Sequence, residues 1–177
     1  MAVKRSTPAA KETALKRSKS YKIEKYRKEI FLTGMDKMKS MKKLQEQATR
    51  IFCRLLEKLN GKEHIKLRVE GFMPLSMEYL YQVETPFGTG KVYSLGHTYE
   101  QNGDLMYDPE MCFIVTNNGN EIAIYPQLYR QDNLGLYEES IHIENGYVIG
   151  YITIWQQGHC SFANQWLKNI QSQGFLK

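Results

Sequence analysis

Long apolar runs are missing from this sequence. No stretch of its 177 residues approaches the ~18 consecutive apolar residues of a membrane-spanning helix, so no membrane partner is expected. The basic N-terminus is not followed by an apolar segment, so no secretory signal is expected either. Cysteine is scarce. Cys53, Cys112 and Cys160 are odd in number, widely spaced and without a Cys-x-x-Cys pair. That excludes the usual pattern of a disulfide framework or a structural zinc site and fits a reducing cytoplasm. The phosphate-binding, dinucleotide-binding, zinc-protease and serine-hydrolase motifs are all absent. No metal and no cofactor are assigned.

Charge is present, but unevenly. The chain has a net charge of +5. Residues 1–68 hold 20 Lys and Arg against 7 Asp and Glu, a net of +13. Residues 69–177 hold 4 against 12, a net of −8. Such asymmetry bears on fields and partners rather than on fold. Residues 1–20 are rich in Lys, Arg, Ser, Ala and Thr and offer only Val3 and Leu15 as large apolar groups. They cannot bury enough surface to offset ordering and read as a disordered basic tail. Lys4, Arg5, Lys16, Arg17 and Lys19 are its dense points. With Lys39, Lys42 and Lys43 further on, they are the candidate contacts for nucleic-acid phosphates, which need only clustered cations. The competing reading is a solubilising terminus.

Periodicity organises the rest. Residues 21–34 read as a short helix and linker ending at Thr33-Gly34. From Met35 to Leu59 apolar residues recur at three- and four-residue steps. The pattern predicts a helix of ~24 residues, ~36 Å long, with Asp36 as N-cap and Asn60-Gly61 as its stop. Strand-like runs follow over 65–69, 75–83, 91–99, 111–116, 121–125, 135–143 and 147–155. Asn102-Gly103, Asn118-Gly119 and Asn145-Gly146 separate several of them, and Asn-Gly favours two-residue hairpins. Ser161 then caps a last helix carrying Phe162, Ala163, Trp166, Leu167 and Ile170. The expected architecture is a single α+β domain over 35–177. Its sheet is a mostly antiparallel meander, covered on one face by the long N-terminal helix and the C-terminal helix.

The densest polar stretch is the candidate site: His97, Glu100, Asn102, Asp104, Asp108 and Glu110. Asp104, Asp108 and Glu110 could serve as oxygen ligands or bases and His97 as a proton shuttle. Turn chemistry is the alternative. Asn102-Gly103 makes one turn, Asp104 accepts backbone bonds, and Asp108-Pro109 opens a second turn. His159 and Cys160, placed just before the last helix, read as a turn histidine and a partly buried thiol. His64 and His142 have no ligand spacing and receive no role. Tyr79, Tyr81, Tyr93, Tyr99, Tyr147, Tyr151 and Trp155 could stack bases from a sheet face. The negative charge of 69–177 argues instead for core packing and cross-strand pairs.

Three strings carry a family resemblance: Gly71-Phe72-Met73-Pro74-Leu75-Ser76-Met77-Glu78, the run Gly96 to Met111 with its Glu-Gln-Asn-Gly-Asp-Leu-Met-x-Asp-Pro-Glu-Met core, and Phe162 to Ile170. They resemble an uncharacterised bacterial domain family found largely on phages, plasmids and conjugative or integrative elements. The resemblance covers roughly residues 40–177. It implies a bacterial, cytoplasmic, mobile-element protein and makes the 97–110 string a hallmark, but it implies no activity. The leading expectation is a non-enzymatic binding protein: an acidic strand region for a protein partner, and a basic arm for nucleic acid. An enzyme built on the 97–110 string and a structural or oligomerising domain are the rivals.

Overall fold

The computed structural model describes residues 40–119 and 121–177. Expectations for the basic tail, the 21–34 helix, the Asp36 cap and Lys4 to Lys39 lie outside the described residues. Eleven elements follow one another: helix α1 (Glu46–Leu59), strands β1 (His64–Leu67), β2 (Leu75–Thr85), β3 (Gly88–Gln101), β4 (Asp104–Asn117) and β5 (Ile122–Gln131), a 3-10 turn (Asp132–Leu134), β6 (Leu136–Glu139), β7 (Ile141–Glu144), β8 (Tyr147–Tyr151) and helix α2 (Thr153–Ser172). This is an α+β arrangement dominated by antiparallel pairing, with a helix at each end.

The first helix is shorter than its apolar period. It starts at Glu46, and residues 41–45 are not helical. The backbone of that segment bonds elsewhere. Leu44 N–H donates to Ile124 O at 2.9 Å. Lys42 N–H donates to Gln156 Oε1 at 2.9 Å, Gln156 Nε2 returns a bond to Lys42 O at 2.7 Å, and Gln45 N–H donates to Asn164 Oδ1 at 2.8 Å. Met41 and Leu44 are both buried, but in different apolar clusters. Three residues apart on extended chain, they face opposite ways. Helical spacing therefore continues across the boundary although the helix does not. At the other end the stop is as expected: Asn60 is left-handed (φ 46, ψ 47) and its N–H donates to Leu56 O at 3.1 Å.

The sheet order is β6-β5-β4-β3-β2-β8-β7, with β1 also on β2. Strands β1 to β6 form the antiparallel meander. The β7–β8 hairpin leaves it and joins β2 through a parallel contact at Glu84 and Tyr147. Asn102-Gly103 (φ 54 and 87) and Asn145-Gly146 (φ 51 and 81) are hairpin turns with both central residues left-handed. Several boundaries differ from the periodicity; β3 spans Gly88–Gln101, β4 begins at Asp104 and β5 runs on to Gln131. The 135–143 run breaks at Ser140, whose N–H donates to Gln127 O and whose carbonyl accepts from Ile152, both at 2.8 Å. The 147–155 run ends at Tyr151, and α2 starts at Thr153, eight residues before Ser161. His159 and Cys160 are thus helical. Asp108-Pro109 is not a turn. It lies inside β4 as a cis peptide, where the register slips between Gly96/Glu110 and Thr98/Tyr107. A proline, having no N–H for the ladder, is tolerated at such a bulge.

Two apolar clusters hold the fold. One gathers Ala48, Ile51, Phe52 and Leu55 of α1, Ala163, Trp166, Leu167 and Ile170 of α2, and Leu75, Met77, Leu95, Met111, Phe113 and Ile124 of the sheet. Phe52 and Phe113 meet at 4.8 Å between ring centres. The other gathers Val83, Val92, Cys112, Ile114, Tyr125, Leu128, Ile141 and Val148. Adjacent residues of β3 and β4 divide between the clusters, so the sheet is apolar on both faces along much of its length. Tyr79 and Tyr93 pair across β2 and β3 with rings 5.6 Å apart, as cross-strand packing requires. All three thiols are free, and burial pushes Cys112 up to about 12. No helix among the described residues is long and apolar enough to cross a membrane.

Candidate functional site: a cleft on the sheet face

Strand register builds the site. Lys66 pairs with Ser76, Ser76 with Gly96, Gly96 with Glu110, Glu110 with Arg130 and Arg130 with Tyr137. Two residues along each strand runs a second row: His64, Glu78, Ser94, Cys112, Leu128 and Glu139. A separation of two keeps both rows on one face. These rows cross six strands, and at their middle stand the smallest residues, Ser76, Gly96 and Ser94. The surface sinks there. A cavity of ≈ 200 Å³ opens over Gly96, lined by His64, Lys66, Ser76, Glu78, Ser94, Thr98, Leu105 and Tyr107.

Gly96 is the floor, and any side chain there would crowd its neighbours. A Cβ there would lie 3.2 Å from Pro109 O, 3.2 Å from Tyr107 Cδ1 and 3.3 Å from Glu110 Cα. The β4 bulge presses its backbone against β3 at this point. Beside it, Thr98 is only 3% exposed, and its hydroxyl has no hydrogen-bond partner. A buried hydroxyl without a partner is costly, and lining a cleft gives it a route to one.

One wall is a charge network. Ser94 Oγ donates to Glu110 Oε1 at 2.5 Å, and Glu110 Oε2 is 3.5 Å from Arg130 Nη1. Arg130 donates to both Asp132 oxygens, from Nε at 2.6 Å and Nη2 at 3.1 Å. Asp132 also accepts the Tyr107 N–H at 2.8 Å, and the guanidinium sits 4.7 Å from the Tyr107 ring centre. Burial alone would raise the Asp132 carboxyl. The Arg130 bonds and the Tyr107 amide outweigh it and hold the group below the ordinary carboxylate range. Burial, then the Glu110 charge, pushes the Tyr107 phenol up, with Arg130 opposing. The network fixes Tyr107 as a neutral, positioned wall.

Thr98, Leu105 and Tyr107 of the 97–110 string line this cleft, but the six polar candidates of that string do not converge on it. His97 turns to the opposite face, among Trp166 and Phe175 at 5.8 and 5.5 Å between ring centres, with Nδ1 3.1 Å from Met73 O. Burial pushes its pKa down against backbone bonds that would raise it, so it is neutral near pH 7. Glu100, Asn102 and Asp104 are exposed at the β3–β4 hairpin end. Asp108 accepts from Gln131 Nε2 at 2.7 Å and Asn133 Nδ2 at 3.2 Å. Only Glu110 reaches the cleft wall. Among the described residues, no three His, Cys, Asp or Glu side chains gather as a metal site.

The other sequence candidates are placed as follows. Lys42 is exposed while its backbone is clamped by Gln156. Lys43 forms an exposed ion pair with Glu121. His159 is buried, Nδ1 3.0 Å from Ser140 Oγ and Nε2 3.1 Å from Glu138 Oε2. Cys160 donates to Lys43 O at 3.2 Å, and burial raises its thiol pKa, so neither it nor His159 forms an accessible nucleophile pair. A second cavity of ≈ 300 Å³ lies between the helices, but its arginines are engaged, Arg50 with Glu46 and Arg54 with Leu176 O.

Ser76, Glu78, Gly96, Thr98, Leu105 and Tyr107 lie within the strings that carry the family resemblance, whereas His64, Lys66 and Ser94 lie outside them. Their signal is even spacing (64/66, 76/78, 94/96/98), which becomes a site only once register is known.

No curated protein and no solved structure matches the chain. Residues 50–176 match the family described as Domain of unknown function (DUF6908). That span runs from α1 to the C-terminal end of α2 and takes in every strand and every cleft residue. The chain belongs to this family.

Proposed function

We propose that this protein is a non-enzymatic binding protein, an accessory of a bacterial mobile element, with the sheet cleft over Gly96 as its ligand site. The observation that carries the reading is the conjunction at the cleft floor. A glycine whose Cβ would be crowded by the Pro109 and Glu110 backbone lies beside a buried hydroxyl with no partner. The charged groups behind the Tyr107 wall, Glu110, Arg130 and Asp132, are engaged through Arg130. They act as a scaffold that holds Tyr107 in place. The strings resembling mobile-element families support the cellular setting, and the +13 of residues 1–68 supports a nucleic-acid-contacting arm.

The test is a screen of full-length protein against a small-molecule extract by amide chemical-shift mapping. Perturbation centred on Ser76, Ser94, Gly96 and Thr98, abolished by Gly96→Val, is expected. Shifts confined to other surfaces would sink the assignment.

A further inference from the structure

The charges facing the cleft indicate what it holds. Lys66 on β1 and Glu78 on β2 both line it, and neither has an ion-pair partner among the described residues. They are diagonal neighbours, since Lys66 pairs with Ser76 and Glu78 stands two residues further on. Diagonal neighbours have Cβ atoms ~7–8 Å apart, a spacing that side chains as long as these can close. They do not close it. An ammonium and a carboxylate therefore stand apart, and Ser76 and Thr98 line the same cavity.

We infer that the cleft binds a small zwitterion of the α-amino-acid type. This rests on the reading of the cleft as the ligand site. The ligand carboxylate meets Lys66 and its ammonium meets Glu78. A neutral molecule with separated opposite charges matches a lining whose Lys66 and Glu78 cancel in net charge. Size points the same way. At ≈ 200 Å³ the cavity lies below the ~300–1,000 Å³ of drug-sized sites, which disfavours a nucleotide or an oligosaccharide. Leu105 and the Tyr107 ring, at the β4 side, offer an apolar rest for a short side chain.

The experiment is a chemical-shift titration of the full chain with each of the twenty amino acids. Propylamine, propionate and xylose serve as ammonium-only, carboxylate-only and neutral-hydroxyl probes. At least one small amino acid is expected to saturate shifts at Gly96 and Thr98, with propylamine and propionate at least tenfold weaker. Lys66→Met and Glu78→Gln alter exposed side chains, and their spectra report whether the fold is kept. Each is expected to weaken amino-acid binding at least tenfold. Binding of propylamine or propionate as tight as that of any amino acid would overturn the zwitterion. So would affinity unchanged in both variants. If xylose alone saturates the cleft, the zwitterion is wrong and the ligand site stands. If no probe moves Gly96 or Thr98, the zwitterion is again wrong, and the extract screen then decides separately whether the cleft is a site.

Discussion

Gly96 and His97 are neighbours in sequence and opposites in role. Gly96 forms the cleft floor, and a methyl group there would meet the Pro109 carbonyl and Glu110 Cα, both backbone atoms that cannot swing aside. Gly96→Ala is expected to destabilise by about 1–3 kcal/mol, the usual cost of overpacking, measured by urea unfolding. No measurable loss would mean that the β4 bulge relaxes freely. His97 faces the helices and is held neutral by burial. Its depressed pKa means that the unfolded chain binds more protons in mildly acidic solution. Stability should therefore fall as pH drops through the ordinary histidine range near ~6.5, and His97→Phe should remove that part of the slope. Unfolding titrations from pH 7.5 to 5 check this, and an unchanged slope in the variant would refute it. Asp132 acts in the same direction at lower pH. Its lowered pKa gives stability that is present above the unfolded carboxylate value and lost as pH falls through the folded one. Asp132→Asn should thus cost stability at pH 7 and progressively less below pH 4. The sequence offered His97 as the chemical residue of its string because the residue type suggested it. What turned it inward was the alternation of an extended strand, which also splits His97 from Glu110 across the sheet.

At the scale of elements, hairpin chemistry was legible and helix ends were only half so. Asn102-Gly103 and Asn145-Gly146 sit where their left-handed preference puts them. Asn60 stops α1 as its position after the apolar stripe requires. The start of α1 was not legible, because Met41, Leu44 and Ala48 keep helical spacing while the chain runs extended. The early start of α2 was hidden by Ile152, Thr153, Ile154 and Trp155, which have strand preferences, and by Gly158. What holds residues 42–45 in place is a polar row on α2: Gln156, Cys160 and Asn164, spaced by four. Gln156 is fully buried and exchanges two bonds with the Lys42 backbone. Gln156→Leu would strand a backbone N–H and C=O, at about 1–3 kcal/mol for each buried group left unpaired. Amide exchange should rise first over residues 41–45 rather than in β3 or β4. Uniform acceleration across the sheet would show that the row supports the whole fold and not this segment.

For the whole molecule, the division of charge separates two surfaces that a net of +5 conceals. Of the cations at the N-terminal end of the described residues, Lys42, Lys62, Lys66 and Arg68 are exposed without an ion pair, while four others are engaged. Lys43 pairs with Glu121, Arg50 with Glu46, and Arg54 and Lys58 bond to carbonyls of the C-terminal residues. Phosphate affinity, on the proposed reading, rests mainly on the cations before residue 40, where most of the Lys and Arg of residues 1–68 lie. Each phosphate contact contributes ~0.9 to the logarithmic salt slope of duplex binding. Changing Lys4, Arg5, Lys16, Arg17 and Lys19 to Gln in the full chain should lower DNA affinity at low salt and flatten that slope by up to about 4. Lys43→Gln should leave both nearly unchanged, because its charge is already answered. Glu78→Gln should not alter DNA binding either, since Glu78 lies on the acidic part of the chain. Fluorescence anisotropy on a short duplex at several salt concentrations reads all three variants. A flat slope for the unaltered chain would remove the nucleic-acid role and leave the cleft as the functional surface. A slope that survives the five substitutions but falls with Lys43→Gln would place the contact on the folded domain.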